Sequence, residues 1–345
     1  VRVLVTGGLG FLGCNVADEL ASTGHEIVVF DNFTRVGATR NLAWLEARHS
    51  LQSVAGDVRS RDDVMRVVRM LRPDRVIHLA GQVAMTTSIS DPRTDFEVNV
   101  LGTLNVLEAL RLEVPDARIL YSSTNKVYGD LDAVETEEHA TRYVAPAFLA
   151  GFDESMPLDF RSPYGCSKGA ADQYVLDYSR VFGVRGLVFR HSSMCGGRQF
   201  ATVDQGWVGW FCQQALEQAS SPDSPAFTIA GSGKQVRDVL HADDMRRLYS
   251  LALDAPDDAW DKAYNIGGGM ANSLSLLELF KLLEELLGVT LRFERLQARR
   301  SDQRIFVADT GRAEGAFDWS PLVGAGEAIR RVISWLASED YGRLD

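Results

Sequence analysis

The chain has 345 residues, 46% of them hydrophobic and 24% charged, which fits a soluble globular protein and excludes disordered and collagen-like classes. Its formal net charge of -11 disfavours nucleic-acid binding, because phosphate neutralisation needs a surplus of Lys and Arg. No stretch approaches the roughly 20 apolar residues that span a bilayer, so no membrane partner is expected.

The chain opens on strand-like Val1-Arg2-Val3-Leu4-Val5 without an export signal. Cys14, Cys166, Cys195 and Cys212 lack C-x-x-C spacing, so neither a disulfide framework nor a metal site is expected, and a cytoplasmic location fits. The first apolar run ends at Thr6-Gly7-Gly8, and residues 11–20 continue in a helical pattern to Gly24. Residues 26–30 form a second strand ending at Asp31, residues 51–54 a third before Gly56-Asp57, and residues 75–79 a fourth before Ala80-Gly81. A helix is expected at 62–71, with further strands at 118–121 and 186–189. Such alternation predicts an α/β fold, a doubly wound parallel-sheet Rossmann domain covered on both faces.

After Arg190 the rhythm changes to loops, short strands such as 226–229 and isolated helices. The expected division is a dinucleotide-binding domain over 1–190 and a smaller mixed α/β substrate-binding lobe over 191–345, with room for the chain to return to the first domain. Ser275-Leu276-Leu277-Glu278 is a capping-box pattern opening an amphipathic helix with a packing role. Trp207, Trp210 and Phe211 at i, i+3 and i+4 spacing read as a packed apolar helix face ahead of a base-stacking platform.

Gly7, Gly10 and Gly13 give G-x-x-G-x-x-G between a strand and a helix, where backbone must approach a pyrophosphate and helix amides must point at it. Phe11 and Leu12 lie inside this turn. The carboxylate of Asp31, ending the second strand, can accept both ribose hydroxyls and would repel a 2′-phosphate, so NAD is the expected cofactor. Arg35 is the reservation, either accommodating an extra phosphate or sitting solvated in its loop. Asn32, Asp57, Val58, Leu79, Ala80, Gln82 and Ser122 complete the cofactor set, Asp57 towards adenine and the 79–82 turn towards nicotinamide.

Tyr164 and Lys168 stand one helical turn apart. An ammonium beside a phenol favours the phenolate, so the pair is expected to lower the Tyr164 pKa and supply a base while hydride leaves the same carbon. Thr124, ending the Ser122-Ser123-Thr124 run, can hydrogen-bond the reacting oxygen. The three are the candidate catalytic residues, with Tyr164 and Lys168 also touching the cofactor.

At these residues the sequence resembles the extended short-chain dehydrogenase/reductase family of nucleotide-sugar epimerases and dehydratases along the whole chain, and 99–109 looks like that family's helix. The runs 121–130, 159–174 and 190–194 resemble its CDP-tyvelose (CDP-paratose) 2-epimerase branch, and 196–202, 204–212 and 234–241 continue the likeness. The resemblance implies a nucleotide-sugar substrate, a homodimer formed through amino-terminal helices, and inversion at C2; C4 inversion, net dehydrogenation and a non-catalytic NAD-binding role remain as alternatives. Related dehydratases carry Asp and Glu where this chain has Asn125 and Lys126, which offer no carboxyl proton shuttle, so elimination is not expected. Arg237 and Arg299 match family positions for the diphosphate, with Arg198 and Arg304 as further cations; Asn125, His191, Ser192 and Gln199 complete the substrate set. Cys195 stands where that branch commonly has an aromatic residue, implying a roomier sugar pocket. The segment 131–152 carries no clear signal and is expected to serve a lid or an oligomer contact.

Overall fold

The computed structural model describes residues 1–221, 223–298, 302–338 and 340–342. The chain begins β1 (Arg2–Thr6), α1 (Phe11–Ser22), β2 (Glu26–Asp31), α2 (Ala38–Glu46), β3 (Gln52–Ala55), α3 (Arg61–Leu71) and β4 (Arg75–His78). It continues through α4 (Met85–Ser90), α5 (Pro92–Phe96), a π-turn over Glu97–Leu101, α6 (Gly102–Glu113) and β5 (Arg118–Thr124). A small hairpin of β6 (Glu137–Glu138) and β7 (Tyr143–Val144) precedes α7 (Ser162–Phe182) and β8 (Gly186–His191). The rest comprises β9 (Ser193–Cys195), α8 (Trp207–Ser220), β10 (Phe227–Ala230), β11 (Val236–His241), α9 (Ala242–Leu253), β12 (Lys262–Ile266), β13 (Ser273–Ser275), α10 (Leu276–Leu287), β14 (Phe293–Leu296), β15 (Ile305–Phe306), α11 (Gly311–Phe317) and α12 (Ala325–Leu336).

The doubly wound sheet expected from the sequence is present: seven parallel strands in the order β3-β2-β1-β4-β5-β8-β12. Its strands are near-continuous apolar runs because helices cover both faces; every residue of β8 is buried. The strand order reverses at β1, so the carboxyl ends of β1 and β4 open a crevice, the usual ligand position in such sheets. Val3, Val5, Leu187 and Phe189 share one core with Cys14 and Leu20 of α1 and with Met245, Leu248 and Tyr249 of α9. The second half of the chain therefore returns to the first core three times, as helix α9, as strand β12 and as helix α11.

The second lobe has its own core around Val208, Phe211, Phe227, Leu279, Phe280 and Ile329. The capping box at α10 is formed: Glu278 N–H donates to Ser275 Oγ at 3.1 Å and Ser275 N–H to Glu278 Oε2 at 3.0 Å. Leu276 departs from a pure packing role by lining the central cavity, as do Trp207, Trp210 and Phe211, the last of them also packed into the core of this lobe. The 131–152 segment docks on this lobe, with Tyr143 N–H bonded to Lys234 O at 3.1 Å and Arg142 paired to Glu278 at 2.6 Å.

Candidate active site

A cavity of about 910 Å³ runs from the glycine turn, past the carboxyl end of β5, to the strands of the second lobe. At its first end, Gly7 adopts φ +66°, and a Cβ there would sit 2.6 Å from Ala80 N. At Gly13 a Cβ would meet Gly7 O at 2.2 Å. Both glycines are required by packing of backbone on backbone. Gly10 differs, since its Cβ would meet only Gly7 O at 3.4 Å, so protein packing does not explain a glycine there. It is the N-cap of α1, which has neither a side-chain cap nor an acid in its first turn, leaving backbone donors for an anion. A dinucleotide pyrophosphate fits this cradle.

Asp31 is almost fully buried and accepts from Leu9 N–H at 3.0 Å and Phe33 N–H at 2.9 Å. Burial raises its pKa, and these backbone donors oppose the rise. Asn32 donates to Asp57 at 3.0 Å, and the Arg59 bond holds Asp57 at about 2. Phe11, Leu12, Arg35, Val58, Leu79, Ala80, Gln82 and Ser122 line the same stretch of cavity, Arg35 from an exposed loop.

Thr124, Tyr164 and Lys168 come together in the middle. A bidentate Arg190–Asp172 pair, both contacts at 2.9 Å, ties α7 to β8, and Ser123 Oγ donates to Asp172 at 2.8 Å. This buried clamp positions α7 over the end of β5. Burial pushes the Tyr164 phenol up to about 12, partly offset by a hydrogen bond with the Thr124 side chain. The expected lowering of the Tyr164 pKa is thus absent in the protein alone. Lys168 Nζ donates to Ser122 O and lies 4.3 Å from the Tyr121 ring centroid, and burial lowers its own pKa to about 7 against the pull of Asp172 and Asp95.

The sequence reading missed the support of this centre. The π-turn, a wide turn often found at functional sites, places Asn99 so that Nδ2 donates to Gln82 O at 3.0 Å and to Ser167 Oγ at 2.9 Å, while Oδ1 accepts Gln82 N–H at 2.9 Å. Ser88 Oγ accepts Tyr164 N–H at 3.2 Å. The apolar periodicity around Asn99 concealed the irregular turn.

At the far end, Asn125 Nδ2 donates to Gln303 Oε1 at 2.9 Å, so this side chain is held by the second lobe. Lys126 lines the cavity near Arg237, whose guanidinium pairs with Asp302 at 3.0 Å. His191 is buried and stays neutral, its pKa lowered to about 3 by burial; Nε2 bonds Tyr249 at 2.9 Å and Nδ1 has no partner. Ser192 and Gln199 also line the wall, Gln199 donating to Met194 O at 3.2 Å.

Arg198 lines the cavity, with its guanidinium 4.8 Å over the Trp44 ring on α2 and paired with Asp340 at 2.8 Å. Two expectations need correction. Arg304 is outside the cavity lining and bonds Thr136 at 3.3 Å beside the small hairpin. Cys195 is fully buried in the second-lobe core while its neighbour Met194 forms the wall, so its small size does not enlarge the pocket directly. Arg299 lies outside the described residues.

The profile of the NAD dependent epimerase/dehydratase family matches residues 3–267. The chain belongs to that family. A CDP-paratose 2-epimerase from Salmonella typhi is 55% identical over 338 residues, covering 98% of this chain and 100% of the relative. Among solved structures, a Thermus thermophilus UDP-glucose 4-epimerase in complex with NAD superposes with a TM-score of 0.82 at 28% identity, covering 100% of both chains. A Streptomyces venezuelae dTDP-glucose 4,6-dehydratase double mutant with NAD bound gives a TM-score of 0.83 at 26% identity, covering 99% of this chain and 98% of that one. The cofactor of this family member is NAD, in agreement with the glycine turn and Asp31.

Proposed function

We propose that this epimerase inverts C2 of a CDP-linked sugar of the CDP-paratose type, by oxidation to a keto sugar and return of hydride to the opposite face. The observation that carries this reading is the 55% identity over essentially the full length of both chains to a CDP-paratose 2-epimerase. Asn125 and Lys126 support it chemically, because neither supplies the carboxyl groups that stand at these positions in the related dehydratases.

Bound NAD supplies the hydride acceptor and, once reduced, the hydride donor. Its pyrophosphate is held by Gly10 and the amides opening α1, its ribose by Asp31, and its nicotinamide side by Ala80, Gln82 and Ser122. Tyr164 takes the proton of the reacting hydroxyl at its phenolic oxygen and returns it in the second half of the cycle. Thr124 holds both the sugar oxygen and the phenol, stabilising the phenolate. Lys168, anchored on Ser122 O, contributes positive charge in its protonated form. His191 lines the substrate end as a neutral side chain, together with Ser192, Gln199, Arg237 and Asn125.

The domain assignment follows the same division, cofactor over 1–190 and nucleotide sugar mainly over 191–345. Exposed Leu112, Tyr174, Val181 and Phe182 on α6 and α7 support a homodimer through these helices, and light scattering of the purified protein checks it. Among the described residues no helix is long and apolar enough to cross a membrane. All four cysteines are free thiols, which supports a cytoplasmic location.

The test is to incubate the NAD-bound protein with CDP-paratose in deuterated buffer and follow products by NMR. Internal hydride return gives the C2 epimer with no deuterium at the inverted carbon. Deuterium there would show carbon deprotonation and sink the mechanism, and a C4 epimer would overturn the regiochemistry.

A further inference from the structure

A pyranose offers C2 and C4 to an oxidising centre at different distances from its nucleotide. C2 is bonded to the anomeric carbon that carries the diphosphate, whereas C4 lies across the ring from it. Presenting C2 to one fixed tyrosine therefore requires the sugar-proximal phosphate to lie nearer that tyrosine, and such a phosphate needs a cation there.

The short turn Asn125–Tyr128 provides the place for one. It follows Thr124 directly, Lys126 N–H donates to Thr124 Oγ1 at 3.3 Å, and a Cβ on Gly165, the residue after Tyr164, would lie 3.2 Å from Lys126 O. Lys126, Thr124, Tyr164 and Arg237 all line the one cavity. The groups facing the Lys126 ammonium are Arg237 on β11, Asp302 ahead of β15 and Asp130 in the following loop. Burial and Arg237 push its pKa down to about 8 against the two carboxylates. Two cations held together in a poorly solvated wall are costly, and an entering diphosphate relieves that cost.

Asn125, the other residue at this turn, is engaged with Gln303. A carboxylate at position 126 would repel the phosphate that the lysine attracts. We propose that Lys126 grips the phosphate nearest the sugar and so presents C2, rather than C4, to Thr124 and Tyr164. The regiochemical half of this inference rests on the C2 reading above.

The test uses the NAD-bound protein with CDP and CMP as probes, since CMP lacks the phosphate in question. Lys126→Met weakens CDP about tenfold more than it weakens CMP, and Lys126→Arg, which keeps the charge, retains most of the discrimination. Equal weakening of CDP and CMP, or no weakening, overturns the phosphate contact. Paratose is a 3,6-dideoxyhexose, so CDP-paratose offers the centre only C2 and C4 hydroxyls. Residual turnover by Lys126→Met contains the C4 epimer, read by NMR; a product that stays wholly C2-inverted overturns the control of regiochemistry. Lys126→Gln replaces the methionine variant if that one does not melt cooperatively. If the unmodified protein fails to invert C2, the proposed function falls, while the CDP and CMP comparison still judges the phosphate contact on its own.

Discussion

The two ends of the cavity are built on different plans. At the cofactor end the contacts follow the chain: Gly7, Gly10 and Gly13 span one turn, and Asp31 meets Leu9 from the neighbouring strand. At the substrate end they cross it: Asn125 meets Gln303, 178 residues away, and Arg237 meets Asp302. The cofactor end is a local motif on the crevice of a parallel sheet, whereas the substrate end exists only once the second lobe has docked. Family members can therefore share the first and diverge at the second.

The largest effect is expected where the two ends meet. Tyr164→Phe removes the proton acceptor and leaves the cradle intact, so turnover falls about 10²- to 10⁴-fold with NAD content unchanged. Activity within about tenfold of the parent would remove the tyrosine from the mechanism. Next come the glycines, which separate packing from ligand contact. Gly13→Ala drives a Cβ into backbone at 2.2 Å and costs about 3 kcal/mol, seen as a lowered melting temperature. Gly10→Ala meets only one protein atom at 3.4 Å, so it costs no more than about 1 kcal/mol but loses NAD on purification. Full NAD retention by Gly10→Ala would show that the cradle does not hold the pyrophosphate there.

A smaller effect tests the lobe contact. Asn125→Asp replaces the donor to Gln303 Oε1 with an acceptor in a buried position, costing about 2 kcal/mol and conferring no dehydratase activity. Dehydration by this variant would show that position 125 alone decides the reaction.

The same contrast explains what the sequence revealed. The sheet, the glycine turn and Asp31 were legible because strand periodicity and motif spacing are local properties. Tyr164 and Lys168 were legible from their i, i+4 relation, but the Asp172–Arg190 clamp that positions them joins α7 to β8 and leaves no spacing signal. Asn99 was hidden because a π-turn adds one residue to an otherwise helical pattern. Gln303 and Asp302 come from the far end of the chain. Arg304 was misassigned because a cation count cannot show that it bonds Thr136 outside the cavity lining.

The most gradual effect concerns Lys168, whose burial at the junction is visible in stability as well as in catalysis. Its pKa is about 7 in the folded chain and about 10.4 in an unfolded one. Below about pH 7 both states carry the proton, and the cost of burying the ammonium is fully present. Between these values the unfolded state binds more protons, so this residue makes stability rise with pH, by at most about 1.4 kcal/mol per pH unit. Lys126, with its pKa near 8, adds the same sign in the parent and in any Lys168 variant, and so cancels in the difference. Urea unfolding of the parent and of Lys168→Met at pH 7, 8 and 9 should show the parent gaining on the variant as pH rises. Parallel stabilities across that range would mean that the ammonium is solvated or fully compensated at Ser122 O, and the electrostatic role assigned to Lys168 would have to be withdrawn.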